Sequence, residues 1–194
     1  MRKSRAEAEA TRGRIVATAA RLFREKGIEG VGIAELMQQA GLTHGGFYKH
    51  FASKDALVAE ACGHALDEAR LGLAKAAGRA PPEKSLEALL ANYLSPAHRD
   101  HPEQGCAIAA LGSEATRGQT PTRQAMATGT DKLIELVAAQ LKALPPEKAR
   151  AAAQGIVAAM VGALLLARTT GDPTQSAALL EDVRTFILRS ANSA

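Results

Sequence analysis

The chain has 194 residues, room for one domain or two small ones, and its 46% hydrophobic content excludes a chain too polar to build a core. Aromatics are only 3%, alanine and leucine dominate, and β-branched residues rarely alternate with polar ones, which excludes a strand-rich fold and predicts an all-α one. Ten Lys and Arg against five Asp and Glu fall in residues 1–54, and fourteen against fifteen in residues 55–194, so the net +4 comes from a basic first quarter suited to a nucleic acid.

From about Arg12 to Lys26 the apolar residues Ile15, Ala19, Leu22 and Phe23 fall at i, i+4, i+7 and i+8, one face of a helix that Gly27 ends. Ile33, Leu36, Met37 and Ala40 repeat the pattern, and Gly41 stops the second helix. Gly41 to Lys54 then reads as a short third helix. Gly41 takes the left-handed conformation, Thr43 caps the new helix, Leu42 points inward, and Phe47 and Phe51 share the buried face. His44, Tyr48 and Lys49 are left on other faces, with a half-buried core position the alternative for Tyr48. Gly45 and Gly46 occupy the first turn, where each costs about 1 kcal/mol relative to alanine, so the pair indicates a close approach to the backbone there. Three short helices with a glycine turn between the last two form a helix-turn-helix unit, the second member being the recognition helix.

Ser53 supplies an N-cap for a fourth helix toward Ala77, carrying Leu57, Ala61, Ala65 and Leu71, until Gly78 to Pro82 breaks it. A fifth covers Glu83 to Ser95, a polar loop follows over Pro96 to Gly105, and a sixth covers Cys106 to Arg117. The seventh ends near Leu144, before Pro145 and Pro146, and the eighth, Glu147 to Thr169, is the most apolar. With a ninth after residues 171–173, the fold has about nine helices. On the eighth, Ile156, Met160 and Leu164 form one row and Val157, Val161 and Leu165 a second, so that helix needs cover on more than one side. Apolar surplus on the last two helices pairs with its own copy across a two-fold axis, giving a homodimer interface of Ile156, Val157, Leu164, Leu165, Leu179, Val183, Phe186 and Ile187. A central helix in a monomeric domain is the alternative.

Cys62 and Cys106 form no disulfide framework, in keeping with a reducing cytoplasm. The basic opening leads into no apolar signal region, and the apolar run Gly155 to Ala167 is shorter than the roughly 20 residues that span a bilayer, so no membrane association is expected.

Ile15 to Ala61 resembles the DNA-binding region of the tetracycline-repressor (TetR/AcrR) family of bacterial transcription regulators. The matches are the A-x-x-LF-x-x-x-G pattern at Ala19 to Gly27, the AGL(T/S)-x-G turn at Ala40 to Gly45, and the FY-x-HF-x-SK-x-x-L run at Phe47 to Leu57. The resemblance implies a cytoplasmic homodimer with an operator-binding domain at residues 1–52 and an effector-binding, dimerising domain at 53–194. It implies a ligand-responsive regulator, most of the family being repressors, that binds a double-stranded palindromic operator and is released by a small-molecule effector. Carried over position by position, Thr43, His44, Gly45 and Gly46 lie at the groove-facing start of the recognition helix, Tyr48 and His50 reach phosphates or the groove wall, and Lys54 meets a phosphate. Where the family has Thr or Ser to cap the second helix and touch DNA, this chain has Val31 and Gly32.

Elementary recognition chemistry agrees. Lys54, Tyr48 and a basic arm of Arg2, Lys3, Arg5, Arg12 and Arg14 supply affinity without sequence information, leaving Thr43, His44 and Lys49 to read bases. Leu66, Tyr93, Ile108, Leu111, Leu133, Val137 and Met160 are candidate pocket residues, and the scarcity of aromatics favours an apolar effector over a flat cation.

No Ser/His/Asp set, Walker loop or dinucleotide fingerprint can be assembled, so the chain does not read as an enzyme, and no cofactor is expected. The alternative regulator is a metal or thiol sensor built on His98, Asp100, His101, Glu103 and Cys106, with Cys62 or His64 as an added ligand. No helical His-x-x-x-His or paired-cysteine spacing supports a metal.

Overall fold

The computed structural model describes residues 5–192, all helices and turns. Among them are nine α-helices: α1 Arg5–Lys26, α2 Ile33–Gln39, α3 Lys54–Arg79, α4 Ser85–Tyr93, α5 Pro96–Asp100, α6 Ala107–Arg117, α7 Thr120–Ala138, α8 Pro146–Thr169 and α9 Pro173–Asn192. The expected all-α class and helix order hold, but the nine are not the nine expected. Residues 44–49 form a 3-10 helix, and the expected polar loop contains α5 and a 3-10 turn at Pro102–Gln104. Ser95 followed by Pro96 was the signal for α5: the serine hydroxyl accepts from His98 N at 3.1 Å, and the proline takes the first helical position, where it forfeits no hydrogen bond.

Long α3 is the central member, packed against α1, α4 and α7, while α8 lies between α7 and α9. Ser53 caps it as expected, its Oγ accepting from Ala56 N at 3.1 Å. Leu57, Ala61 and Ala65 are buried, but Leu71 is 59% exposed and Leu73 takes the inward position. α3 and α7 pack closely at Gly129, where an added Cβ would lie 2.3 Å from Leu66 Cδ1 and 2.8 Å from Leu66 Cβ. α7 stops at Ala138, short of the expected Leu144. Gln140 N and Leu141 N turn back onto the Val137 and Ala138 carbonyls, and this bend buries Leu141.

The 24 residues of α8 exceed its apolar run, and by length and composition it could cross a bilayer. It instead buries Ala153, Val157, Met160 and Leu164 inside the bundle, as the core helix of a globular chain does.

Candidate nucleic-acid interface

The turn into residues 44–49 is built by Gly41. Its φ of +72° lets Gly41 N–H donate to Gln38 O at 3.0 Å and Leu42 N–H donate to Met37 O at 2.8 Å, the paired bonds of a Schellman end. The chain then enters a 3-10 helix instead of an α-helix. Six residues with two adjacent glycines nucleate an α-helix poorly, and the tighter winding closes each bond over three residues. This explains why Thr43 does not cap with its side chain: the Gly46 N–H that a hydroxyl would take already donates to Thr43 O at 3.0 Å.

Phe47 and Phe51 bind the segment to the core. Both are buried, their rings stacked at 5.7 Å between centroids. Tyr48 stands edge-on to Phe47 at 5.2 Å and is 64% exposed, which rules out a half-buried core position for it. Thr43, His44, Gly45 and Lys49 are exposed, and Gly46, His50 and Lys54 are intermediate. Neither glycine has a positive φ. A Cβ at Gly45 would meet nothing within 4 Å, and one at Gly46 would touch Met37 Cε at an ordinary 3.5 Å. The fold therefore requires neither glycine.

The basic arm is less free than the sequence implied. Arg2 and Lys3 lie outside the described residues, whereas Arg5 and Arg14 are exposed on α1. Arg12 is held by both oxygens of Glu60 on α3, its guanidinium 4.5 Å above the Phe51 ring, so it fastens α1 to α3. Val31 is fully buried and Gly32 caps α2 without a side chain, so neither replaces the hydroxyl of the family pattern.

Elsewhere the expected residues divide. Ile156, Val157, Leu164 and Ile187 are already buried within the chain; Leu165 and Phe186 are 49% and 65% exposed, beside partly buried Leu179 and Val183. Leu166, 56% exposed, joins this outward apolar set and was missed by the row pattern. The candidate pocket residues do not converge. Tyr93 lines a cleft of about 360 Å³ with Glu68 and His98, and Ile108 lines a separate groove of about 340 Å³ between α6 and α7. Leu66, Leu111, Leu133, Val137 and Met160 are buried at 4% exposure or less in the close-packed interior, Leu66 filling the notch over Gly129.

The metal alternative loses its leading ligand, because both His98 nitrogens are engaged: Nδ1 with Tyr93 O at 2.7 Å, and Nε2 accepting from Cys106 N at 2.9 Å. His101 pairs with Glu103 at 3.2 Å, and among the described residues no three His, Cys, Asp or Glu side chains converge as metal ligands. Both thiols are buried, and burial, with the Glu114 carboxylate nearby, pushes Cys62 up to about 11. Arg24 and Arg168 were missed altogether. Periodicity assigns a cation to the surface, yet the Arg24 side chain is 3% exposed.

Residues 15–61 match the family model described as bacterial regulatory proteins, tetR family, and residues 82–183 match the LmrA/YxaF-like transcriptional regulator C-terminal domain. An uncharacterized HTH-type transcriptional regulator of Mycobacterium tuberculosis (strain ATCC 25618 / H37Rv) is 29% identical over 185 residues, covering 91% of this chain and 94% of that one. A TetR transcriptional regulator from Chloroflexus aurantiacus superposes with a TM-score of 0.77 at 27% identity, covering 94% of each chain. One from Cytophaga hutchinsonii gives 0.80 at 20% identity over 96% of this chain and 97% of that one, a likeness of fold. With an N-terminal helix-turn-helix model and a C-terminal regulator model together spanning most of its length, the chain is not an enzyme but a DNA-binding transcriptional regulator, and it belongs to the TetR family.

Proposed function

We propose that the chain is a ligand-released repressor that binds a palindromic operator as a homodimer in the cytoplasm. The observation that carries this reading is the 43–49 segment, which turns Thr43, His44, Gly45, Tyr48 and Lys49 outward from a phenylalanine anchor while leaving its two glycines without an internal purpose. Residues 1–52 engage DNA and residues 53–194 pair the subunits and take the effector. Thr43, His44 and Lys49 read base edges, Lys49 on guanine O6/N7 and the Thr43 methyl against a thymine methyl. Tyr48, His50 and Lys54 hold the backbone, and the bare Gly45 and Gly46 let a phosphate or groove wall approach.

Pairing uses the outward apolar set, Leu165, Leu166, Leu179, Val183 and Phe186, with Ile156, Val157, Leu164 and Ile187 backing it from the core. Two recognition segments must then sit about 34 Å apart, or a multiple of that, to meet successive half-sites. A small-molecule effector releases the DNA to the extent that it binds the mis-spaced state more tightly. Two of the candidate pocket residues, Tyr93 and Ile108, reach open clefts, and the Ile108 groove is the more apolar.

The test is a fluorescence-anisotropy titration of the region upstream of its own gene at several salt concentrations, followed by footprinting. A palindromic footprint and an affinity that falls steeply with salt are expected. Absence of salt-dependent binding to that region would sink the reading.

A further inference from the structure

Arg24 lies on α1 next to Phe23, and a guanidinium buried this deeply is stable only with its donors engaged. Three segments engage it. Nε donates to Ala20 O of its own helix at 3.0 Å, Nη1 to Gly105 O at 2.9 Å, and Nη2 to Glu68 Oε2 on α3 at 2.9 Å. Glu68 is 57% exposed, so the charge pair is open to water on one side and the Gly105 carbonyl is the buried partner.

That carbonyl is fixed from behind. The Cys106 N–H, in the same peptide unit, donates to His98 Nε2 at 2.9 Å, while the opposite ring nitrogen meets Tyr93 O at 2.7 Å. With Nε2 accepting, the imidazole is the neutral tautomer protonated on Nδ1, and burial lowers its pKa and keeps it so. Arg168 of α8 donates to His98 O at 2.9 Å and to Arg99 O at 3.1 Å. The packing leaves no room for a side chain at 105: a Cβ there would lie 2.7 Å from His98 Nε2 and 3.1 Å from Arg168 Nη2. A continuous set of bonds thus runs from α8 through His98 and the Gly105–Cys106 peptide to α1, which carries the helix-turn-helix unit.

We propose that Arg24 is a positioning residue for DNA binding, transmitting the placement of the Gly105–Cys106 peptide, held by His98, to α1 and so to the recognition segment. The proposal rests on the DNA-binding reading above and adds where the C-terminal unit controls it. The cleft of about 360 Å³ abuts the same junction, lined by Glu68, Tyr93, His98 and Gln104 among others, so a small molecule lodged there acts on Arg24's partners.

The test compares operator affinity and melting temperature for full-length wild type, Arg24→Gln, Arg24→Lys, His98→Phe and the Arg24→Gln/His98→Phe double variant. Lysine keeps the charge for Glu68 but cannot also hold Ala20 O and Gly105 O. Each single change is expected to shift operator Kd by about fivefold in one common direction, with the double variant no further from wild type than the larger single. A purely structural role would lower the melting temperature and leave Kd unchanged. Unchanged Kd in the folded single variants, wild-type behaviour of Arg24→Lys, or independent effects that multiply in the double variant would each overturn the proposal. If His98→Phe does not fold, Arg24→Gln and Arg24→Lys decide it alone. Failure of wild type to bind the DNA would instead reject the regulator reading beneath it.

Discussion

Gly129→Ala tests how tightly the C-terminal unit is packed and therefore how little room it holds for a central pocket. The new methyl would sit 2.3 Å from Leu66 Cδ1, 3.1 Å from Cγ and 2.8 Å from Cβ. A rotamer change can move the first two atoms, but Leu66 Cβ is fixed to the α3 backbone, so α3 and α7 must separate. Overpacking of this kind costs about 1–3 kcal/mol. For a chain of this size each kcal/mol lowers the melting temperature by about 2–4 °C, so Gly129→Ala should melt roughly 2–12 °C below wild type. Melting followed by circular dichroism at equal protomer concentration measures this, the concentration being matched because a dimer's melting depends on it. In a Leu66→Ala background the same change should cost less but not nothing, since the contacts with Cδ1 and Cγ go while the 2.8 Å contact with Cβ remains. A Gly129→Ala protein that melts with wild type, or a penalty no smaller in the Leu66→Ala background, would refute the close α3–α7 contact and reopen Leu66 and Leu133 as pocket wall.

Gly45→Ala should leave the melting temperature unchanged or slightly higher, since a Cβ there meets nothing within 4 Å, while weakening operator binding; full affinity would show that the glycine pair is not clearance for DNA. Because the folded state holds His98 below its ordinary value, the unfolded chain binds a proton that the folded chain refuses once the pH falls below about 6.5. The stability of wild type over His98→Gln should therefore shrink as pH is lowered from 7.5 toward 5, and a constant difference in melting temperature would contradict the neutral imidazole. Cys62, pushed up to about 11, should carry thiolate only on the order of one part in a thousand at pH 8. A disulfide thiol reagent should accordingly label it in guanidinium and not in the native protein, with rapid native labelling, located by mass spectrometry, the contrary result.

Much of this molecule is legible locally. Gly27 and Gly41 end their helices, Gly41 in the left-handed conformation its position predicted, Ser53 caps α3, and Phe47 and Phe51 are buried together. These outcomes depend on backbone sterics and on spacing within a few residues, which the chain itself specifies. Spacing alone does not give the winding of residues 44–49: it predicts a helix capped by the Thr43 side chain, whereas the chain forms a 3-10 helix in which Gly46 N–H donates to Thr43 O.

What the sequence by itself determined is the helix-turn-helix order, the apolar faces and the exposed candidates around Tyr48. What only the tertiary structure decided is which apolar residues face inward and what each charge touches. Ile156, Val157 and Leu164 share the apolar character of Leu165 and Leu166, but packing between α7 and α9 buries the first three and leaves the other two outside. Arg12, Arg24 and Arg168 are bound by Glu60, the Gly105 carbonyl and the 98–99 carbonyls, partners far away in the chain. Periodicity records which face of a helix a residue occupies, whereas burial of a guanidinium depends on acceptors delivered by other segments. Those acceptors come within reach only once α1, α3, α5, the turn at Gly105 and α8 have met.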